Sequence, residues 1–132
     1  MEMAFLEAES AAERGEVPVG CVIVDPLSAK VLARTGNRTE ELHDPTAHAE
    51  VLAIRQASSQ IGSARLTGCD LYVTLEPCAM CATAISFARI RRLYFGAYDA
   101  KMGGVEHGPA IFQQPTCHHA PEVYGGLNEQ AA

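Results

Sequence analysis

Four side chains in two short stretches of the sequence have the types and spacing of a metal centre. His48 and Glu50 begin HAEVLAIRQ, and Cys78 and Cys81 lie in EPCAMC, thirty residues further on. Two residues three apart on a helix share a face. Zinc–sulfur bonds of about 2.3 Å at tetrahedral angles require sulfurs roughly 3.8 Å apart, which two such cysteines can provide. With His48 the set has three protein ligands, which leaves a fourth position for water and is typical of a catalytic zinc.

Glu50 is expected to act on that water rather than on the metal. Residues two apart on a helix do not face each other, so Glu50 is not expected to bind the metal beside His48. Its carboxylate is instead expected to take a proton from the water and pass it on. The pattern therefore indicates metal-assisted hydrolysis with Glu50 as the proton carrier.

Each half of the motif has other interpretations when it is taken alone. A C-x-x-C pair also occurs in redox sites and in closed, four-ligand structural zinc sites. Cys117, His118 and His119 are candidates for such a fourth ligand, although we assign them no metal. A lone histidine on a helix is usually a packed or capping residue. The two halves together favour catalytic zinc, because both are predicted at helix starts after a proline and a strand separates them.

Length and composition describe an ordinary globular chain. Its 132 residues suggest about one domain, and 48% apolar against 20% charged residues is a normal balance. Five cysteines, an odd number at irregular spacing, do not suggest a disulfide framework. The acidic start, MEMAFLEAES, argues against a secretory signal. No apolar run of eighteen residues occurs, so no transmembrane helix is expected, and the cytoplasm is the expected compartment.

The net charge of −6 disfavours a large nucleic-acid surface. This charge still allows a local basic patch. One candidate is Lys101, and another is the cluster at the start of the strand predicted at 90–97, which consists of Arg89, Arg91 and Arg92. For that cluster a solvated face or a dimer rim is an equal alternative.

Helices and strands alternate in the predicted elements, which indicates a layered α/β domain. Residues 2–14 read as a helix with Ala4, Ala8 and Ala11 on one stripe. Strands are predicted at 17–25, 30–36, 69–76 and 90–97, and a short one in PEVYGG. Residues 98–121 read mainly as loop, with a helical turn near 109–113, and a further helix begins in LNEQAA.

The two helices that must position the chemistry are each predicted to open at a proline. One runs from about 45 to 61, with Asp44 as N-cap, Pro45 in the first position and Gly62 as the stop. Its inner stripe is predicted to consist of Ala47, Val51, Ile54 and Ile61. The other opens at Pro77 and runs to about Ala88.

These stretches resemble the tRNA-specific adenosine deaminases, a family within the cytidine deaminase superfamily. H-x-E followed by P-C-x-x-C is the signature of the zinc deaminases. The resemblance runs from about residue 4 to 127. It rests on EVPVGCVIV, GNRTEELHDPTAHAEVLAIRQ, LYVTLEPCAMCATAI, RIRRLYFGAYDAKMGG and QPTCHHAPEVYGG.

The resemblance implies a three-layer α/β/α cytidine-deaminase-like fold with a central mixed five-stranded sheet, a homodimer, and one zinc ion per chain. It implies hydrolysis of the wobble adenosine of a tRNA anticodon to inosine. The implied roles are zinc ligand for His48, Cys78 and Cys81, proton shuttle for Glu50, base contact for Asn37, and a place beside the nucleotide for Asp99.

The resemblance also leads us to expect a single zinc-dependent deaminase domain over residues 1–132. The family's terminal helix is expected to be cut short at Ala132. Two alternatives remain. A free-base or nucleoside deaminase acting on guanine or cytosine would use the same zinc and Glu50 chemistry. A non-catalytic zinc module is the second alternative, and it is disfavoured because Glu50 is present.

Overall fold

Three helices and five strands follow one another along residues 1–128, the part of the chain that the computed structural model describes. The helices are α1 (Glu2–Glu13), α2 (Ala49–Ile61) and α3 (Ala79–Ala88), and the strands are β1 (Gly20–Asp25), β2 (Lys30–Gly36), β3 (Asp70–Leu75), β4 (Arg92–Ala97) and β5 (Glu122–Tyr124). A single 3₁₀ turn spans Ile111–Gln113, within the loop predicted from 98 to 121.

The five strands form one mixed sheet in the order β2-β1-β3-β4-β5. The strand β1 pairs antiparallel with both β2 and β3, whereas β3, β4 and β5 run parallel. The α3 helix follows β3 and returns the chain to β4, as a parallel pair requires. The ends of β3 and β4 therefore reach the same edge of the sheet.

One face of the sheet is covered by α1, at very short range. The predicted stripe of Ala4, Ala8 and Ala11 is buried, as expected. A Cβ atom added to Gly20 would lie 1.9 Å from the carbonyl oxygen of Ala4 and 2.6 Å from the backbone nitrogen of Ala8. Gly20 therefore lets the helix backbone rest directly on β1.

The opposite face carries α2 and α3 and holds most of the apolar core. Alanines of both helices pack there with inward residues of the strands, including Ile23, Leu71 and Phe95. Cys21 and Cys69 belong to this core. Helices on both faces of a mixed five-stranded sheet confirm the predicted three-layer α/β/α architecture.

The predicted start of α2 is wrong. The helix begins at Ala49, with His48 as its N-cap, rather than at Pro45. The carboxylate of Asp44 accepts hydrogen bonds from the backbone and hydroxyl of Thr46 at 2.8 and 2.7 Å, which closes a local turn instead of capping the helix. The predicted stop is confirmed, because Gly62 has the left-handed backbone of a C-cap.

The predicted inner stripe of α2 is only partly confirmed, since Ala47 is buried and the partly buried Ile54 packs against the core. The buried residues are Ala49, Glu50, Ala53 and Ala57. Ile61 is 44% exposed, and Ala47, although buried, precedes the helix. The helix lies close to the sheet, so small side chains face inward and Val51 and Ile54 lie at the margin.

Smaller differences occur at other boundaries. The α3 helix begins at Ala79 with Cys78 as N-cap, two residues after Pro77. Leu127 and Asn128 donate backbone hydrogen bonds to the carbonyl oxygens of Phe95 and Gly96. The rest of the helix predicted in LNEQAA, from residue 129, lies outside the described residues. Between residues 1 and 128, no helix is long and apolar enough to cross a membrane.

Candidate metal centre and pocket

Two helix N-termini from distant parts of the chain meet at one edge of the sheet. His48 is the N-cap of α2, Cys78 is the N-cap of α3, and Cys81 lies in the first turn of α3. The Nδ1 atom of His48 lies 3.6 Å from Sγ of Cys78 and 3.5 Å from Sγ of Cys81. The three atoms all lie within 4.8 Å of one another. The structure therefore brings the three predicted ligands together.

The spacing of these atoms fits a tetrahedral zinc ion. Bonds of about 2.3 Å to sulfur and about 2.05 Å to nitrogen, at tetrahedral angles, place sulfur and nitrogen roughly 3.6 Å apart. Both nitrogen–sulfur distances at His48 are within about a tenth of an ångström of that value. One imidazole and two thiols are also a ligand set that zinc prefers.

The two thiols differ in their readiness to lose a proton. A hydrogen bond from Cys81, together with the nearby imidazole of His48, lowers the pKa of Cys78 to about 5. Donating that hydrogen bond, and burial, raise the pKa of Cys81. The pair therefore shares one proton between two sulfurs. A divalent cation favours the ionised form of both, so its binding is coupled to release of that proton.

Glu50 lies in the first turn of α2 and is almost completely buried, with 4% of its surface exposed. Burial raises the pKa of its carboxyl group to about 7. The side chain lines the same pocket as His48 and Cys78. Its place, beside the three donor atoms but outside their cluster, is the one that the sequence predicts.

A pocket of about 240 Å³ opens above these groups. It is lined by residues from the helix N-termini and from three loops: Val17, Val19, Asn37, Thr39, His48, Glu50, Leu75, Glu76, Cys78, Asp99 and Met102. Cys81 is fully buried beneath it. Both predicted substrate contacts, Asn37 and Asp99, thus lie in the wall of the pocket that holds the metal cluster.

Asn37 has a structural task that its place in the sequence does not indicate. Its Oδ1 atom accepts a 2.7 Å hydrogen bond from the backbone N–H of Ala49, in a buried position. This N–H belongs to the first turn of α2, where no backbone acceptor is available. Asn37 thus caps α2 from twelve residues away. It does so at Ala49, the residue between His48 and Glu50.

Asp99 likewise supports the pocket wall that it lines. Its Oδ1 atom accepts hydrogen bonds from the backbone N–H groups of Lys101 and Met102, at 3.1 and 3.0 Å. These bonds close a tight turn on the pocket's rim. The contact with a nucleotide that the resemblance implies for Asp99 stays a prediction.

Two buried carboxylates that line or support the pocket were not predicted from the sequence. Glu16 accepts hydrogen bonds from the backbone N–H groups of Glu40 and Glu41, at 3.1 and 2.9 Å, and a longer one from the hydroxyl of Thr39. Burial acts to raise the pKa of Glu16, but these hydrogen bonds hold it below its usual value. Glu76 is the second, and its side chain is fully buried. No spacing rule links either residue to partners so far along the chain.

The remaining candidates lie away from the pocket. Cys117 contacts Ser86, and the ring of His119 bonds the carbonyl oxygen of Ile90 at 2.8 Å. Neither they nor His118 belong to a metal-type cluster within the described chain. Arg91 pairs with Asp70, and Arg92 with Glu122, at the ends of the strands remote from the pocket. Two arginines of the candidate basic patch are therefore paired with carboxylates of this chain.

Comparison with known proteins places the same residues in a recognised domain. Residues 1–97 match the model of the cytidine and deoxycytidylate deaminase zinc-binding region, a span that contains His48, Glu50, Cys78 and Cys81. A tRNA-specific adenosine deaminase from Agrobacterium fabrum is 64% identical over 129 residues, which is 98% of this chain and 84% of that relative.

Two solved structures extend the comparison. One, from work on A-to-I editing by tRNA:A34 deaminases at the wobble position of transfer RNA, has a TM-score of 0.95 and 63% identity, and covers 98% of this chain and 93% of that chain. The other, a guanine deaminase from Bacillus subtilis, has a TM-score of 0.70 and 38% identity, and covers 74% of this chain and 61% of that chain.

Proposed function

The chain belongs to the tRNA-specific adenosine deaminases of the cytidine and deoxycytidylate deaminase family, and from that membership we propose that it hydrolyses the wobble adenosine of a tRNA anticodon to inosine. The observation that carries the proposal is the meeting of His48, Cys78 and Cys81 at zinc spacing in a pocket that also contains Glu50. The substrate class comes from the relatives, which are tRNA-specific adenosine deaminases.

In this proposal His48 Nδ1 and the two sulfurs of Cys78 and Cys81 hold one zinc ion. Bound zinc supplies a Lewis acid that lowers the pKa of a water molecule toward 7. The fit of donor types and distances supports this assignment. The protein contributes rigidity, because all three ligands lie at helix N-termini that are packed against the sheet.

Glu50 is the proton carrier in this reaction. Its carboxylate accepts a proton from water, whose oxygen adds to C6 of adenine, and delivers that proton to ring nitrogen N1. It then takes the proton of the new C6 hydroxyl and passes it to the amino group, so that the C6–N bond breaks and ammonia leaves. Burial in the pocket keeps this exchange away from bulk solvent. Glu50 needs no contact with the metal for this task.

Asn37 and Asp99 form the substrate-binding part of the proposal. The amide oxygen of Asn37 is already engaged with Ala49, so its Nδ2 group is the one that can donate to a base. Asp99 lies across the pocket on a different loop. An anticodon loop can present a splayed-out base to such a pocket at low cost, because its bases are not paired.

The chain-level expectations belong to the same proposal. We infer that residues 1–132 form one deaminase domain, that two copies assemble as a homodimer, and that the protein works in the cytoplasm, where tRNA is modified. The tRNA anticodon loop is the expected macromolecular partner.

A direct test is the incubation of zinc-loaded protein with an anticodon stem-loop that carries adenosine at position 34, followed by measurement of inosine and ammonia. The Glu50→Gln variant serves as the matched control, because the change removes a proton acceptor and keeps the side chain's size. We expect inosine from the wild type, none from the variant, and about one zinc per chain in both. Loss of zinc from Glu50→Gln would show that the role of Glu50 has been misread.

A second candidate is deamination of a free base. The 38% identity to a guanine deaminase structure favours guanine as the base to test. Guanine, cytosine and cytidine therefore accompany the stem-loop in the same assay. Ammonia released from guanine, with no inosine formed in the stem-loop, would replace the tRNA proposal with this one.

A further inference from the structure

A buried carboxylate that the proposed reaction does not use lies directly before the metal-binding helix. Glu76 follows β3 and precedes Pro77, and its side chain has no exposed surface. A carboxylate in such a position is costly unless hydrogen-bond donors surround it. Glu76 is outside the cluster of metal-type ligands formed by His48, Cys78 and Cys81. The hydrogen-bond partners of Glu76 must therefore offset the cost of burying its carboxylate.

Among residues 1–128, all the donors to Glu76 come from one segment, residues 99–107. Oε1 accepts from the backbone N–H of Asp99 at 3.1 Å and lies 2.7 Å from Nδ1 of His107. Oε2 accepts from the backbone N–H groups of Val105, Glu106 and His107, at 3.1, 2.9 and 3.1 Å. A single side chain thus fixes both ends of a nine-residue segment.

The segment 99–107 has no helix or strand of its own to hold it. It is attached instead to the start of α3, where the N–H of Gly104 bonds the carbonyl oxygen of Pro77 at 2.8 Å and Gly103 forms a bridge with Cys78. A Cβ atom on Gly103 would lie 2.5 Å from the carboxyl carbon of Glu76. Close approach of the segment to Glu76 therefore depends on glycine at this position.

The same segment forms one wall of the pocket. Asp99 and Met102 line the cavity that Asn37 and Glu50 also line. The position of this wall relative to Cys78 is thus set by the hydrogen bonds to Glu76 at the two ends of the segment and by the backbone contacts of Gly103 and Gly104 in its middle. A wall that shifts by an ångström changes how a base is held, while the ligands and the proton carrier, which belong to the helices, stay in place.

We propose that Glu76 is a positioning residue for substrate binding, which holds the 99–107 wall so that Asp99 and Met102 face the base. The inference rests on the proposed deaminase function of this pocket. It separates two tasks: the helix N-termini carry the hydrolysis, and the carboxylate of Glu76 sets the affinity for the nucleotide.

Glu76→Gln tests this, because it keeps the shape of the side chain but replaces one acceptor oxygen with a donor NH₂ that faces backbone N–H groups. The matched control is Asp70→Asn, at the other end of β3, roughly 20 Å away along the strand. Asp70 is also a buried carboxylate, and Arg91 binds it in a bidentate pair at 2.9 and 2.7 Å. Loss of stability without effect on the pocket is expected there.

Three measurements are made on zinc-loaded wild type and both variants: zinc content, amide hydrogen exchange, and kcat and KM on the stem-loop. We expect Glu76→Gln to retain one zinc, to lose protection at residues 99 and 105–107, and to raise KM about tenfold or more while kcat changes less. Asp70→Asn is expected to leave KM and the exchange of 99–107 unchanged.

Unchanged KM in Glu76→Gln, or loss of its zinc, would overturn the inference. If Glu76→Gln does not fold, Gly103→Ala is the second variant, since it pushes the same wall away from an intact Glu76, and it should raise KM in the same way. A wild type without activity on the stem-loop would refute the proposed function instead. The exchange measurement would still show whether Glu76 holds the wall.

Discussion

Replacement of Asn37 by alanine should destabilise α2 and damage the metal centre together. The substitution removes the 2.7 Å hydrogen bond to the backbone N–H of Ala49. Asn37 is 6% exposed and Ala49 is not exposed at all, so the N–H of Ala49 loses its acceptor in a buried position. A buried donor left without a partner costs about 1–3 kcal/mol, and loss of an N-cap costs a similar amount.

The expected effect is large enough to measure by urea denaturation. With a slope of about 2 kcal/mol per molar urea, a loss of about 1–3 kcal/mol lowers the midpoint by about 0.5–1.5 M. Because bound zinc adds to apparent stability, wild type and variant are compared at the same free zinc concentration. Inosine formation should fall by at least about tenfold, since the first turn of α2 also holds His48 and Glu50.

Asp44→Ala is the matched control, because local sequence signals assign the cap to Asp44 whereas the structure assigns it to Asn37. The Asp44 carboxylate bonds only within the exposed turn at Thr46, so this variant should keep the wild-type midpoint and activity. A midpoint for Asn37→Ala within error of the wild type, or an equal fall in both variants, would refute the reasoning.

Three further outcomes follow from the packing and the donor set. Cys78→Ser should lower bound zinc well below one per chain and abolish inosine formation, whereas Cys117→Ser should keep one zinc, and metal analysis of both would expose a fourth-ligand role for Cys117. Dialysis against a chelator should remove activity and lower the melting temperature, and added Zn²⁺ should restore both; a chelated protein with full activity would contradict the metal assignment. Gly20→Ala should reduce the free energy of unfolding by about 1–3 kcal/mol or more, because its Cβ would meet the backbone of Ala4 and Ala8. Ser10→Ala, on the exposed side of α1, is the control and should not reduce it. Equal urea midpoints for the two variants would show that α1 can move aside.

The ligand residues could be identified from the sequence because their spacing is local. The interval between Cys78 and Cys81 fixes their geometry once a helix is assumed, and the pattern with His48 and Glu50 needs only that two helices meet. The structure brings the three donors together and confirms the three-layer fold. Alternation of helices and strands was sufficient for the α/β class, because parallel strands require a crossover of this kind. The three layers and the five-stranded mixed sheet were expected only from the family resemblance.

The errors arose where a distant residue overrides a local signal. Asp44 and Pro45 have the types that favour a helix start, but the acceptor for the first turn of α2 comes from Asn37, twelve residues away. The donors to Glu76 lie 23 to 31 residues further on. Neither partnership follows from propensity or periodicity, since both depend on which loops the folded sheet brings together.

The two buried carboxylates have a consequence for how such an enzyme can diverge. The residues that carry out the reaction lie at packed helix ends, whereas the rims of the cavity are irregular loops. Each of two rim loops is held by hydrogen bonds to one buried carboxylate, Glu16 for the first and Glu76 for the second. Loops tolerate changes of sequence and length better than packed helices do. We therefore expect related enzymes to differ in their preferred nucleobase through changes of sequence in these rim loops. The metal ligands and Glu50 need not change.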